Sequence, residues 1–274
     1  MIAFPNAKIN LGLYVTGKRE DGFHNIESIF YPVPFRDVVE VIESDHFSFE
    51  SEGIQIPGNP EDNLCVKAYR LLQNIFDLPP VNMFLLKNIP AGAGLGGGSS
   101  DAAFALKAIN DLFKLNLSIE ILTNYAAVLG SDCPFFITNY PAYVFGRGEL
   151  MEAVNVNLSG SYIVIVCPGI HIPTVDAYQN LKSFSTLKIP MPHQVLRDKQ
   201  FWRETLHNDF DDYAFARYPV IKEIKKQMYA SGAFFAAMSG SGSAVYGLFE
   251  KKPEITFSFP DGYKTWEGEL GNDQ

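Results

Sequence analysis

Residues with the means to do chemistry concentrate in one stretch, Pro90-Ala-Gly-Ala-Gly-Leu-Gly-Gly-Gly-Ser-Ser-Asp-Ala-Ala103. Gly92, Gly94, Gly96, Gly97 and Gly98 let backbone N–H groups turn inward with no Cβ in the way. A helix start just beyond them adds unpaired N–H groups and a partial positive charge. Together these features suit phosphate oxygens. Ordering so many glycines is costly, which argues against a plain connector. The loop is not a Walker A motif, because no lysine precedes Ser99 and Ser100. Gly92, Gly94 and Gly97 satisfy Gly-x-Gly-x-x-Gly literally. A dinucleotide fold, however, needs a second parallel strand after the helix, carrying an acid for the ribose. Here Ser118 to Leu129 follows and reads as another helix, so the dinucleotide reading is set aside.

Other reactive types are scattered. Lys8 and Asn10 stand two apart in Ala7–Val15, alternating with Ile9, Leu11, Leu13 and Val15. A strand puts them side by side, away from the apolar face. In isolation such a pair reads as a solvated face. Asp132 lies ahead of Cys133-Pro134-Phe135-Phe136. Pro134 opposes helix continuation, so Asp132 is expected on a turn before aromatic bulk. Ser239-Gly-Ser-Gly-Ser243 makes a tight turn between apolar strands.

The elements that must position these groups follow from period and punctuation. Val81–Leu86 is a strand into the glycine loop, and Ala102–Phe113 is a helix out of it. After Ala7–Val15 comes an Asp21-Gly22 hairpin turn and a returning strand, Phe23–Phe30, with His24, Ile26, Ser28 and Phe30 on one face. Val38–Ile42, His46–Phe49 and Gly53–Ile56 read as short strands. Asp62 or Asn63 can cap a helix running to Phe76. Ala142–Val154 is a hairpin turning at Gly146-Arg147-Gly148, and Tyr162–Cys167 is a buried strand. A helix is expected from about Leu206 to Tyr229, and two short strands between Ile255 and Leu270. Residues 182–202 carry no motif.

The chain has 274 residues, enough for two modest lobes or one large domain. It is 47% hydrophobic and 19% charged, as globular proteins are, and no apolar run reaches the ~18 residues of a membrane span. The start lacks the basic leader and apolar core of a signal peptide. Cys65, Cys133 and Cys167 are few, odd in number and widely spaced, which suggests a reducing cytoplasm with no disulfide framework or zinc cluster. The net charge of −9 argues against general nucleic-acid or membrane-surface binding.

The glycine stretch resembles the central motif of the GHMP small-molecule kinases, named for galactose, homoserine, mevalonate and phosphomevalonate. Ser239–Ser243 between its strands resembles that family's third motif. Ala7-Lys-Ile-Asn-Leu-Gly-Leu13, Gly17-Lys-Arg-Glu-Asp-Gly-Phe-His24 and Ile26-Glu-Ser-Ile-Phe30 resemble the opening of the branch that phosphorylates 4-diphosphocytidyl-2-C-methyl-D-erythritol in non-mevalonate isoprenoid synthesis. Gly130-Ser-Asp-Cys-Pro-Phe-Phe136 resembles the family segment whose aspartate is the catalytic base.

The resemblance implies an α+β, two-lobed fold, with an N-terminal ATP-binding lobe (1–158) and a C-terminal lobe (159–274) facing across a cleft. It implies Asp132 and Lys8 as the catalytic pair. A carboxylate accepts the hydroxyl proton and an ammonium steadies the developing oxyanion. It assigns the ATP phosphates to Pro90, Ala91, Gly92, Gly94, Leu95, Gly96, Gly97, Gly98, Ser99 and Ser100, and places Asn63 beside the adenine. Ser99 and Ser100 would lie at Mg2+. Asn10, Phe23, His24, Phe30, Thr174, Tyr178, Ser239 and Gly240 would hold the substrate. Thr174 would cap a helix, and Tyr178 would stack on cytosine where many members carry phenylalanine. The expected partners are ATP and the cytidine diphosphate-linked methylerythritol, with no nucleic acid and no membrane. The expected state is a cytoplasmic monomer or weak homodimer.

Overall fold

A computed structural model describes residues 1–185, 199–254, 257 and 259–271. The chain divides into two compact units that interleave along the sequence. One comprises Met1–Ala7, Phe35–Ala91 and Gly96–Tyr140. The other comprises Lys8–Pro34, Gly92–Leu95 and Pro141–Gln274. Along the sequence the units alternate at several points, one of them inside the glycine stretch.

The first unit is a four-stranded sheet with helices against it. Strands β1 (Ile2–Ala3), β4 (Val38–Glu43), β6 (Val81–Lys87) and β5 (Ser48–Gly53) lie in that order. β4 and β6 are antiparallel, with Val41 opposite Met83, while β5 runs parallel to β6. β6 alternates strictly, so Val81, Met83, Leu85 and Lys87 all enter the buried face. Period two therefore carries a lysine into the core face as mechanically as it carries a leucine.

Helices α1 (Leu64–Phe76), α2 (Gly97–Leu112), α3 (Ile119–Leu129) and α4 (Cys133–Thr138) complete this unit. α2 packs on α1, α3, α4 and β4. Its small residues Ala102, Ala103 and Ala105 allow close approach, and Leu106 and Ile109 fill the interior. Asn63 caps α1, its Oδ1 accepting the Cys65 N–H at 2.9 Å. Where the strands His46–Phe49 and Gly53–Ile56 are expected, one strand forms, β5; it ends at Gly53, where φ is +85°, and residues 54–56 lie outside it. Pro134 does not merely stop a helix. It occupies the first turn of α4, where a missing N–H costs nothing.

The second unit holds two sheets. β2 (Asn6–Lys18) and β3 (His24–Arg36), most of whose residues belong here, join β7 (Ala142–Gly146) and β8 (Leu150–Ala153) in the order β2-β3-β7-β8. The other sheet is β10 (Phe235–Met238), β11 (Val245–Phe249), β9 (Tyr162–Cys167) and β12 (Lys264–Glu269), all antiparallel. Helices α5 (Thr174–Gln179), α6 (Trp202–Thr205), α7 (Asp211–Arg217) and α8 (Pro219–Ala230) accompany them. Val164, Val166, Phe210, Ile221, Met228 and Met238 share one core. Each such side chain contributes roughly 1.5–3 kcal/mol on burial.

Two expectations change here, and a third is met in part. The helix expected to run to Tyr229 breaks at Tyr218-Pro219, because a proline at that point starts a helix rather than continuing one. Thr174 does not cap α5: Pro173 holds the N-cap position and Thr174 is the first helical residue. Of the two strands expected near the end, β12 is present, and the stretch before it lies partly outside the described residues. No helix among the described residues is long and apolar enough to cross a membrane.

Candidate active site

In the second unit, the site is built around Asn10. Strand β2 is buried on both faces. Ile9, Leu11 and Val15 are inside, and so are Lys8 at 3% exposure and Asn10 at 1%. The pair is therefore far from solvated. The Asn10 side-chain oxygen accepts from Lys8 Nζ at 2.6 Å and the Gly240 N–H at 2.9 Å, and Ser239 Oγ lies 3.3 Å from it. Its Nδ2 donates to Ser28 Oγ at 2.8 Å, and Ser28 passes the chain on to the Gly12 carbonyl at 2.6 Å. The buried Tyr246 hydroxyl donates to the Asn10 backbone carbonyl at 2.6 Å. A buried amide this fully satisfied is fixed in orientation. It aims the Lys8 ammonium, which also lies 4.3 Å from the centre of the Phe30 ring.

Part of the glycine stretch reaches the same cluster. The Lys8 N–H donates to the Leu95 carbonyl at 2.9 Å, and Ser239 Oγ donates to the Gly94 carbonyl at 2.8 Å. Gly94 has φ +83°, and a Cβ there would sit 1.9 Å from the Ser239 carbonyl oxygen. Only glycine permits that approach. The β10–β11 turn is closed by the Ser239 N–H to the Ala244 carbonyl at 2.9 Å. Asn208 holds it from beneath, donating to the carbonyls of Met238 and Gly240 at 3.1 and 2.8 Å.

A second group in this unit is aromatic. His24 stacks on Tyr178 with ring centres 4.5 Å apart and planes 15° from parallel. Tyr178 also meets Phe210 edge-on at 5.0 Å. Phe23 is 54% exposed, with the Arg147 guanidinium 5.0 Å from its ring centre. Burial, and then the Lys18 charge, holds the His24 imidazole below the usual histidine range, so it is neutral at pH 7. Exposed Thr174 places its hydroxyl 3.3 Å from Ser241 Oγ.

In the first unit, Gly96 (φ +70°) is the N-cap of α2 and no side chain caps the helix. Gly97, Gly98, Ser99 and Ser100 form its first turn, following Pro90 and Ala91 at the end of the β6 connection. Ser99 hydrogen-bonds the Cys133 thiol, and burial pushes that thiol up to about 12, so it stays protonated. Asp132 precedes Cys133 at the N-cap position of α4, half-buried and with no capping bond of its own. Ser99 and the Asp132 turn are thus neighbours through one thiol. The Ser100 hydroxyl is buried without a protein partner. Asn63 lines a groove with Phe49, Ile56, Pro57, Asn59 and Asp62. Lys8 and Asp132 fall in different units.

Residues 63–145 match the GHMP kinases N terminal domain, and residues 197–257 match the GHMP kinases C terminal domain. A 4-diphosphocytidyl-2-C-methyl-D-erythritol kinase of Bacteroides fragilis is 48% identical over 260 residues, covering 93% of this chain and 94% of that protein. The chain belongs to the GHMP kinase family. A kinase of the same name from Bacteroides thetaiotaomicron is 49% identical over 265 residues, covering 95% of this chain and 96% of that one. Among solved structures, a 4-(cytidine 5'-diphospho)-2C-methyl-D-erythritol kinase superposes with a TM-score of 0.78 at 32% identity, covering 92% of this chain and 91% of that one.

For a GHMP kinase, several important residues were not singled out from sequence. Ser28 and Tyr246 satisfy Asn10, and Asn208 holds the third-motif turn. Ser28 and Tyr246 are ordinary members of their strands, Asn208 sits in the polar run His207-Asn-Asp209 at a helix entry, and the partner of each lies far off in sequence. Asp37, Lys87 and Asp101 form a buried ion cluster beneath α2. Lys87 did leave a signal, since it continues the inward alternation of β6.

Proposed function

We propose that this chain transfers the γ-phosphate of ATP to the 2-hydroxyl of 4-diphosphocytidyl-2-C-methyl-D-erythritol, giving the 2-phosphate and ADP. The supporting observation is the Asn10 cluster, which ties Lys8, Gly94, Ser239 and Gly240 together in a chain 48% identical to a kinase of that name. Asp132 takes the hydroxyl proton as the oxygen attacks the γ-phosphorus. The bond to the β–γ bridging oxygen breaks, and ADP leaves with that electron pair. Lys8, aimed by Asn10, steadies the negative charge on the attacking oxygen. The first turn of α2, free of any capping side chain, offers its N–H groups to the phosphates.

Asn63 and its groove take the adenine end. Phe23, His24, Phe30 and Tyr178 take the cytosine, and Thr174 also faces the substrate. The Ser100 hydroxyl, buried without a protein partner, and neighbouring Ser99 would hold Mg2+ through oxygen, the donor type that ion prefers. Among the described residues no cluster of three acidic, histidine or cysteine side chains competes for that role. The ion would offset phosphate charge. In this reading the chain works in the cytoplasm as a monomer or weak homodimer, with residues 1–158 as the ATP lobe and 159–274 as the C-terminal lobe. It binds neither nucleic acid nor membrane.

ADP release with a panel of alcohols tests the assignment. The cytidine substrate should support turnover, whereas mevalonate and homoserine should not. Turnover with mevalonate or homoserine in preference would overturn the substrate, and ATP binding without turnover on any alcohol would point to a non-catalytic sensor.

A further inference from the structure

Beneath the first turn of α2 lies a buried cluster that the proposed reaction does not use. Lys87, 2% exposed, donates to Asp101 Oδ2 at 2.7 Å and is also paired with Asp37, which is fully buried. Asp37 Oδ1 in turn accepts the N–H groups of Asn88 at 2.5 Å and Ile89 at 2.8 Å. Asp101 belongs to α2, Lys87 to β6, and Asp37 leads into β4, so one ammonium fastens three elements. A Cβ at Gly97 would lie 2.9 Å from Lys87 Nζ. The missing side chain at Gly97 is what lets the ammonium sit directly under the helix start. The cluster has two carboxylates for one cation, and Asp101 Oδ1 is buried with no partner.

We propose that Lys87, held between Asp37 and Asp101 beneath Gly97, is a positioning residue for the nucleotide triphosphate, fixing the first turn of α2 and setting the charge under it. The proposal rests on the kinase reading. Without the ammonium, two buried carboxylates face each other below the turn, and one must move or take up a proton.

Steady-state kinetics on the full chain with both substrates varied, plus calorimetry with ATP and magnesium, tests this. ADP release by the wild type is measured first, and its absence would sink the kinase reading itself. Given turnover, Lys87→Met should raise the ATP KM by about tenfold or more while leaving the cytidine-substrate KM within about twofold. Asp101→Asn keeps the shape and the Lys87–Asp37 pair. It should raise the ATP KM less than Lys87→Met does, again sparing the cytidine-substrate KM. If Lys87→Met does not fold, the same comparison of the two KM values in Asp101→Asn decides. An unaltered ATP KM in folded Lys87→Met, or an equal rise in both KM values in either variant, would overturn the proposal.

Discussion

Lys8 and Asn10 show how one amide can organise a site. The asparagine oxygen takes two donors from two motifs, and one of them is the lysine ammonium, held between that oxygen and the Phe30 ring. A catalytic role for this lysine and for Asp132 predicts that Asp132→Asn binds both substrates nearly normally while kcat falls by roughly 10²–10⁴-fold. Lys8→Met should also lower kcat, and the double variant should lose less than the product of the single losses, because residues acting as a unit are not additive. Single-turnover kinetics would show both effects. Near-wild-type kcat in folded Asp132→Asn would leave this aspartate as a turn residue only. His24 and Tyr178 already stack on each other at 4.5 Å, so their faces are matched to flat rings. Replacing either by alanine should raise the cytidine-substrate KM about five- to over a hundredfold, as expected for losing roughly 1–3 kcal/mol of base stacking, with the ATP KM little changed. Equal effects on both substrates would argue that the pair only packs.

At the scale of elements, the glycine stretch behaves as two pieces with different demands. Gly92–Leu95 must let another backbone approach, and Gly97–Ser100 must open a helix over an ion cluster. Gly94→Ala meets a left-handed φ and the Ser239 carbonyl together. The backbone conformation alone costs roughly 1–2 kcal/mol, so a fall in Tm beyond about 2–4 °C is expected, along with weaker ATP binding. An unchanged melting curve would mean that the third-motif turn yields freely. The ion cluster carries its own pH signature. Asp101 is raised to about 7 in the folded chain, whereas an unfolded aspartate titrates near ~3.9. Between those values the folded state binds the extra proton, so this group's contribution to stability is fullest at the acid end and is lost as pH rises towards 7. Lys87, raised by the same partners, keeps its contribution throughout this range and loses it only at alkaline pH. Asp101→Asn should flatten the fall in Tm between pH 5 and 7.5, and an identical slope in wild type and variant would remove Asp101 as its source.

For the molecule as a whole, ligand linkage gives the measurable quantity. A nucleotide that binds only the folded chain at a hundredfold its Kd contributes about 2.7 kcal/mol. For a chain of this size each kcal/mol moves Tm by roughly 2–4 °C. ATP with magnesium should therefore raise Tm by about 5–10 °C, and the cytidine substrate should produce its own shift. Scanning calorimetry with each ligand separately and then together measures this. No shift with ATP would contradict the nucleotide reading. Because the chain forms two compact units, a transition that splits would show which unit each ligand holds.

Local pattern was enough for a glycine loop between strand and helix, the alternation of β2, the strand β6, a polar cap at Asp62 or Asn63 and the glycine turn at Ser239–Ser243. Each depends on spacing within a few residues and on backbone freedom that glycine, proline and asparagine advertise directly. The order of the motifs along the chain was also enough to place it among the GHMP kinases. What sequence could not supply was which polar residues become buried and whom they meet. Lys8 and Asn10 look like a solvated face until β2 is covered on both sides. Asn208, Tyr246 and Ser28 acquire meaning only when strands distant in sequence come alongside. The same holds for Asp37, Lys87 and Asp101, which lie 50 and 14 residues apart. Period two sent Lys87 inward, but only packing around α2 decided that two carboxylates would be waiting there. A buried charge is tolerable only beside its partners, and partnership at that range is set by tertiary packing, not local spacing.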